Sequence, residues 1–123
     1  IMEDLIDLET AKLAKQKGFK AHGCTWYNSD GKLMPYFPQK SRMFLDRYDE
    51  TDLHLAPQQY LLQKWLRRDH DIDLWVEPSL YKGGHYRFNV LSPHHQYESN
   101  DYESYEKALE EGLKHGLNLI DYE

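Results

Sequence analysis

The spacing of hydrophobic positions changes several times along the chain, and each change marks an element. Near the start, Ile6, Leu13 and Ala14 form a thin apolar stripe at helical spacing, which predicts a helix over about Leu8 to Lys17 at the edge of a core. Asp7 can accept the free amides of its first turn, and Gly18 stands where a left-handed cap is needed. "CTWYNSDGKLMPYF" then predicts a β-hairpin. Its strands are Cys24 to Tyr27 and Lys32 to Phe37, with Asn28-Ser29-Asp30-Gly31 as the turn. Pro35 lacks an amide donor and suits an edge position. From Pro38 to Leu55 no period is clear, so a loop is expected, with at most a short strand.

Helical spacing returns after Pro57, which is tolerated in a first turn because its missing amide would be unpaired there anyway. Leu61, Leu62, Trp65 and Leu66 form the inner stripe, and Tyr60, Lys64, Arg67 and Arg68 fall away from it. The period then drops to two over Ile72–Glu77 and again over Tyr86–Val90, predicting two strands joined by Pro78 to His85 with a Gly83-Gly84 turn. Ser104 caps a last helix in which Tyr105, Ala108, Leu109, Leu113, Leu117 and Ile120 repeat at three and four. Gly112 and Gly116 share that side and would permit a close approach to a sheet or a second helix. The order α-β-β-α-β-β-α predicts a single α+β domain over 1–123, a largely antiparallel sheet of two hairpins with helices packed on it.

Composition narrows the picture. A chain of 123 residues with 40% hydrophobic content can bury roughly two-thirds of its unfolded surface without metal or disulfide support. The formal charge of −6, from 15 basic and 21 acidic residues, gives no overall positive field for nucleic acid, though a local basic patch could still act. One cysteine, Cys24, rules out an intrachain disulfide and suits a reducing compartment. No apolar run approaches the roughly 20 residues of a membrane span, and no signal-peptide pattern is seen, so a soluble cytoplasmic protein is expected.

Candidate chemistry gathers on one face of the second hairpin. If Ile72, Leu74 and Val76 face the core beside Tyr86, Phe88 and Val90, the opposite face carries Asp73, Trp75 and Glu77 beside His85, Arg87 and Asn89. Trp75 offers a flat surface and Arg87 an anion partner, so Trp75, Asp73, Glu77, His85 and Arg87 form a candidate ligand- or partner-binding set. The same residues also serve as ordinary cross-strand charge pairs on a solvated face. A second candidate is the basic edge Lys64, Arg67 and Arg68, placed to meet phosphates, although Asp69, Asp71 and Asp73 follow at once. The seven histidines, His22 and the adjacent His94 and His95 among them, show no metal-ligand spacing. No nucleophile elbow, phosphate-binding loop or paired-carboxylate context occurs, so neither cofactor, metal nor catalytic residue is assigned and the chain is not expected to be an enzyme.

The segments "APQQYLLQKWLRRDHDIDLWV" and "YEKALEEGLKHGLNLI" resemble small uncharacterised proteins of bacteriophages, prophages and mobile elements of Bacteroides-type bacteria. The resemblance lies in Pro57, Gln59, Leu61, Leu62, Gln63, Trp65, Leu66, Arg67, His70 and Ile72, and then in Tyr105, Ala108, Leu109, Glu110, Glu111, Gly112 and Leu113. Gln58 departs from the Thr of that pattern. The resemblance covers the second half of the chain. It implies an accessory protein of a phage or integrated element, with a host or phage protein as partner and a homodimer as one arrangement. Nucleic-acid binding and a small-ligand site on the sheet face stand as alternatives.

Overall fold

The computed structural model describes residues 5–20, 25–28, 30–34 and 54–120. His22, Cys24, Pro35, the end of the second expected strand and most of the weakly patterned stretch after Pro38 lie outside them. The class is α+β, and the chain groups into two compact units, Ile1–Gln58 and Gln59–Glu123.

In the first unit, α1 spans Leu8–Gln16. Asp7 caps it as its position predicts: its carboxylate accepts the Thr10 amide at 2.8 Å. At the other end Gly18 adopts φ +90°, a conformation open to glycine at little cost, and the Phe19 amide turns back to the Ala14 carbonyl at 3.0 Å. Ile6, Thr10, Ala11 and Ala14 make the buried side. The hairpin forms from β1 (Thr25–Tyr27) and β2 (Leu33–Met34). Its turn is held by the Asn28 side chain, whose oxygen accepts the amides of Asp30 and Lys32 at 2.9 and 3.0 Å. A third strand, β3 (His54–Ala56), closes the weakly patterned stretch and pairs antiparallel with β1, giving the order β2-β1-β3.

The second unit opens with α2 (Gln59–His70), which buries Gln59, Leu62 and Leu66. Asp71, at φ +56°, turns the chain, and the Ile72 amide bonds back to the Leu66 carbonyl at 3.1 Å. The meander β4 (Asp73–Pro78), β5 (Tyr86–Ser92) and β6 (His95–Glu98) follows, antiparallel throughout and ordered β4-β5-β6. The Gln63 side-chain amide donates to the Leu74 carbonyl at 2.7 Å, so α2 fills one hydrogen-bonding position of β4. The final helix, α3 (Tyr105–Leu119), is capped by Ser104, whose hydroxyl accepts the Lys107 amide at 3.0 Å. Among the described residues the order is thus α-β-β-β-α-β-β-β-α, with each expected hairpin gaining a third strand in its own sheet.

The register fixes which side chains meet α3. Leu74 pairs with Val90 and Val76 with Phe88, and Leu74, Phe88 and Val90 are buried with Ile72. Gly112 and Gly116 let the helix come close. A Cβ at Gly112 would stand 3.1 Å from Phe88 Cγ, and one at Gly116 would stand 3.2 Å from methyls of Leu66 and Leu74. Both glycines are there for space, since neither has a positive φ. No described helix is long and apolar enough to cross a membrane.

Candidate functional site

Alternation along β4 and β5 sends every second residue to the face opposite α3. There Trp75 stands opposite Asn89, Glu77 opposite Arg87 and Asp73 opposite Leu91, while Glu98 of β6 pairs with Asn89 on its other side. Four of the expected residues, Asp73, Trp75, Glu77 and Arg87, therefore share this face. His85 precedes β5 in the connecting turn, where its Nδ1 lies 3.2 Å from the Gly83 carbonyl.

Arg87 is the most committed of these side chains. Its Nε donates to Glu77 Oε1 at 3.1 Å and its Nη1 forms an ion pair with Glu98 Oε1 at 2.7 Å, and its side chain is 12% exposed. The Tyr81 ring lies 5.7 Å from the guanidinium carbon. Arg87 thereby ties β4, β5 and β6 together across the face. With two carboxylates already on its fork, little of its charge is available to a third anion. Both acids are substantially exposed, so solvent screens the pairs and each contributes of order 1 kcal/mol or less.

Trp75 is different. It is 43% exposed, and Leu91, on the same face, is 45% exposed. Between Trp75 and Glu98 across the ladder, Asn89 is only 9% exposed, and its Nδ2 is buried without a hydrogen-bond partner. An unpaired buried amide donor costs about 1–3 kcal/mol. The face thus presents an indole and a leucine side chain, while the unmet Asn89 donor is enclosed within the protein.

The basic edge lies on the outer side of α2. Lys64, Arg67 and Arg68 are exposed, as is Tyr60 at the same side's N-terminal end, and no ion pair holds any of them among the described residues. Arg67, Arg68 and His70 also fall in the last turn, where cations meet the helix's negative end. The basic edge and the Trp75 face are separate features of the unit.

A third grouping escapes sequence reading. His115 of α3 meets His95, the first residue of β6, with their Nε2 atoms 3.0 Å apart. Tyr97 stacks on His115 at a centroid distance of 4.3 Å and an interplanar angle of 16°, and Phe88 lies 5.8 Å away. Burial, and then the neighbouring His95, lowers the His115 pKa from 6.5. Tyr102 nearby is pushed above 10.0 by burial, then by Glu111 and Tyr97. The adjacent "HH" at 94–95 reads as a loop in the sequence because "HQYE" has no apolar alternation. The signal available was the turn residue Pro93 between two extended stretches. No group of three or more His, Cys, Asp or Glu residues that could hold a metal occurs among the described residues.

No protein-family model, curated protein or solved structure matches this chain.

Proposed function

We propose that this is a non-enzymatic interaction protein that docks a protein partner on the sheet face around Trp75. The observation that carries this reading is the open Trp75 indole with the equally open Leu91 on the same sheet face. A partner that covers Trp75 and Leu91 with an apolar side chain would bury the indole and the leucine together. The partner is a host or phage protein, in keeping with the resemblance of α2 and α3 to phage and mobile-element proteins. A cytoplasmic setting fits a chain with one cysteine.

The test is parallel affinity capture from host extract with wild type, Trp75→Thr and Lys64→Ala, followed by binding measurements on purified candidates. A partner bound directly by wild type and Lys64→Ala but not by Trp75→Thr supports the reading. A set of partners unchanged by Trp75→Thr overturns it. Sedimentation of the same variants identifies a second copy of the chain as the occupant if Trp75→Thr alone shifts the oligomeric state.

The exposed, unpaired Lys64, Arg67 and Arg68 support a second reading, in which α2 lies against nucleic-acid phosphates with Tyr60 beside them. Its signature is oligonucleotide binding that weakens steeply with salt and is lost in Arg67→Ala/Arg68→Ala.

A further inference from the structure

We infer that His95 and His115 form a one-proton clasp that fastens edge strand β6 to helix α3 and opens in mild acid. The geometry defines it. The Nε2 atoms are 3.0 Å apart and the ring centroids 5.2 Å apart, a difference of about two ring radii, so the nitrogens face each other end-on. End-on nitrogens make a hydrogen bond in which one Nε2–H donates and the other Nε2 accepts. A shared metal ion would instead need both lone pairs to converge on one point, and among the described residues neither Nδ1 has the second partner that usually orients a metal-bound histidine.

The proton count follows. With both rings neutral, one carries its proton on Nε2 and the other on Nδ1, and the bond forms. One added proton leaves an imidazolium donor facing a neutral acceptor, and the bond persists. A second added proton places two N–H groups and two positive charges head to head, and the contact is lost.

The groups facing the clasp do not replace it in this range. Tyr97 from β6 and Phe88 from β5 face it with aromatic rings, and the Tyr102 hydroxyl, in the segment before α3, is pushed above 10.0 by burial. On α3, Lys114 Nζ lies 3.3 Å from Glu111 Oε2, an ion-pair distance without a well-directed hydrogen bond. That pair is nearly balanced in charge. His94 lies in the turn before β6, and Glu98, at its far end, is paired with Arg87. Among the described residues β6 has only β5 as a strand neighbour, so losing the clasp leaves that ladder and the Tyr97 stack to hold it.

The test is amide hydrogen exchange at about pH 7.5 and about pH 5, with EDTA present and protection factors corrected for intrinsic exchange. Wild type, His95→Gln and His115→Gln are compared, and imidazole nitrogen shifts are followed by NMR. In wild type, β6 amides and the Ser99 amide, bonded to the Phe88 carbonyl at 2.9 Å, should lose about tenfold in protection at the lower pH relative to α2. His115→Gln should lose that pH dependence, since glutamine cannot titrate, and in His95→Gln it should shrink to the part that burial of His115 alone leaves. His95→Gln, at the sheet edge, keeps the test decisive if His115→Gln is poorly folded. Protection of β6 that is unchanged with pH in wild type, or equally pH-dependent in His95→Gln, overturns the clasp.

Discussion

The two faces of the β4-β5-β6 sheet are built on the same three strands and lie one residue apart in the sequence. Toward α3, Leu74, Phe88 and Val90 are closed off, and glycine at 112 brings the helix within contact of Phe88. On the opposite face the register places Trp75, Asn89 and Leu91 beside the Glu77–Arg87–Glu98 ladder, and indole and leucine stay open. The inner face derives its stability from excluded water and close packing. The outer face is held by screened charge pairs and keeps its apolar groups uncovered. Burial of a side chain on this sheet therefore identifies a structural position, whereas exposed apolar groups side by side, as at Trp75 and Leu91, identify a binding candidate.

That contrast breaks first at α3. Leu113 is fully buried, so Leu113→Ala should lower unfolding free energy by about 2–5 kcal/mol, measured by urea titration. An effect below about 1 kcal/mol would mean that the inner face is not the stability centre. Gly112→Ala and Gly116→Ala sharpen the same point. Both gain up to about 1 kcal/mol of helix propensity. The Gly112 methyl, however, meets the Cβ and Cγ of Phe88, atoms that cannot swing aside, whereas that of Gly116 meets leucine methyls at the ends of flexible side chains. Gly112→Ala should be net destabilising by about 1–2 kcal/mol and Gly116→Ala close to neutral. Equal effects would refute the difference in packing.

The pH dependence follows from His115. Its lowered pKa means that the unfolded chain takes up a proton near 6.5 while the folded ring remains neutral. Stability should hold above that value, fall as pH drops from 6.5 toward the folded value, and level off below it. Urea midpoints should therefore decline over this window in wild type, and the decline should be smaller in His115→Gln. Identical profiles would show that His115 contributes no linkage.

Much of this architecture was legible in residue order. Period-two spacing over Ile72–Glu77 and Tyr86–Val90 placed Trp75 and Arg87 on one face, and the register agrees. Asp7, Gly18 and Ser104 announced their caps because capping depends on local geometry alone. The third strands were not legible. β3 is three residues long, and β6 is polar at three of its four positions, so neither carries a period that its neighbours impose only in space. The same limit hid the His95–His115 contact, since 20 residues separate the two rings and only the β5–β6 turn brings them together. The sequence likewise cannot show that Arg87 has its fork filled while Trp75 stays open.

The smallest stability effects should come from the outer face, and there the comparison is tested most directly. Arg87→Met removes two screened ion pairs but keeps the aliphatic stem, so a loss of about 1 kcal/mol is expected, shrinking further in high salt. Trp75→Thr keeps a strand-forming residue and gives up an indole that is already 43% exposed, so its loss should stay within about 1 kcal/mol. For partner binding the ranking reverses. Trp75→Thr should abolish it, because the indole would be the apolar anchor of the contact, whereas Arg87→Met should weaken it only by loosening the strands beneath. If Trp75→Thr instead destabilises the fold as severely as Leu113→Ala, then the indole is a packing residue and the outer face is structural like the inner one.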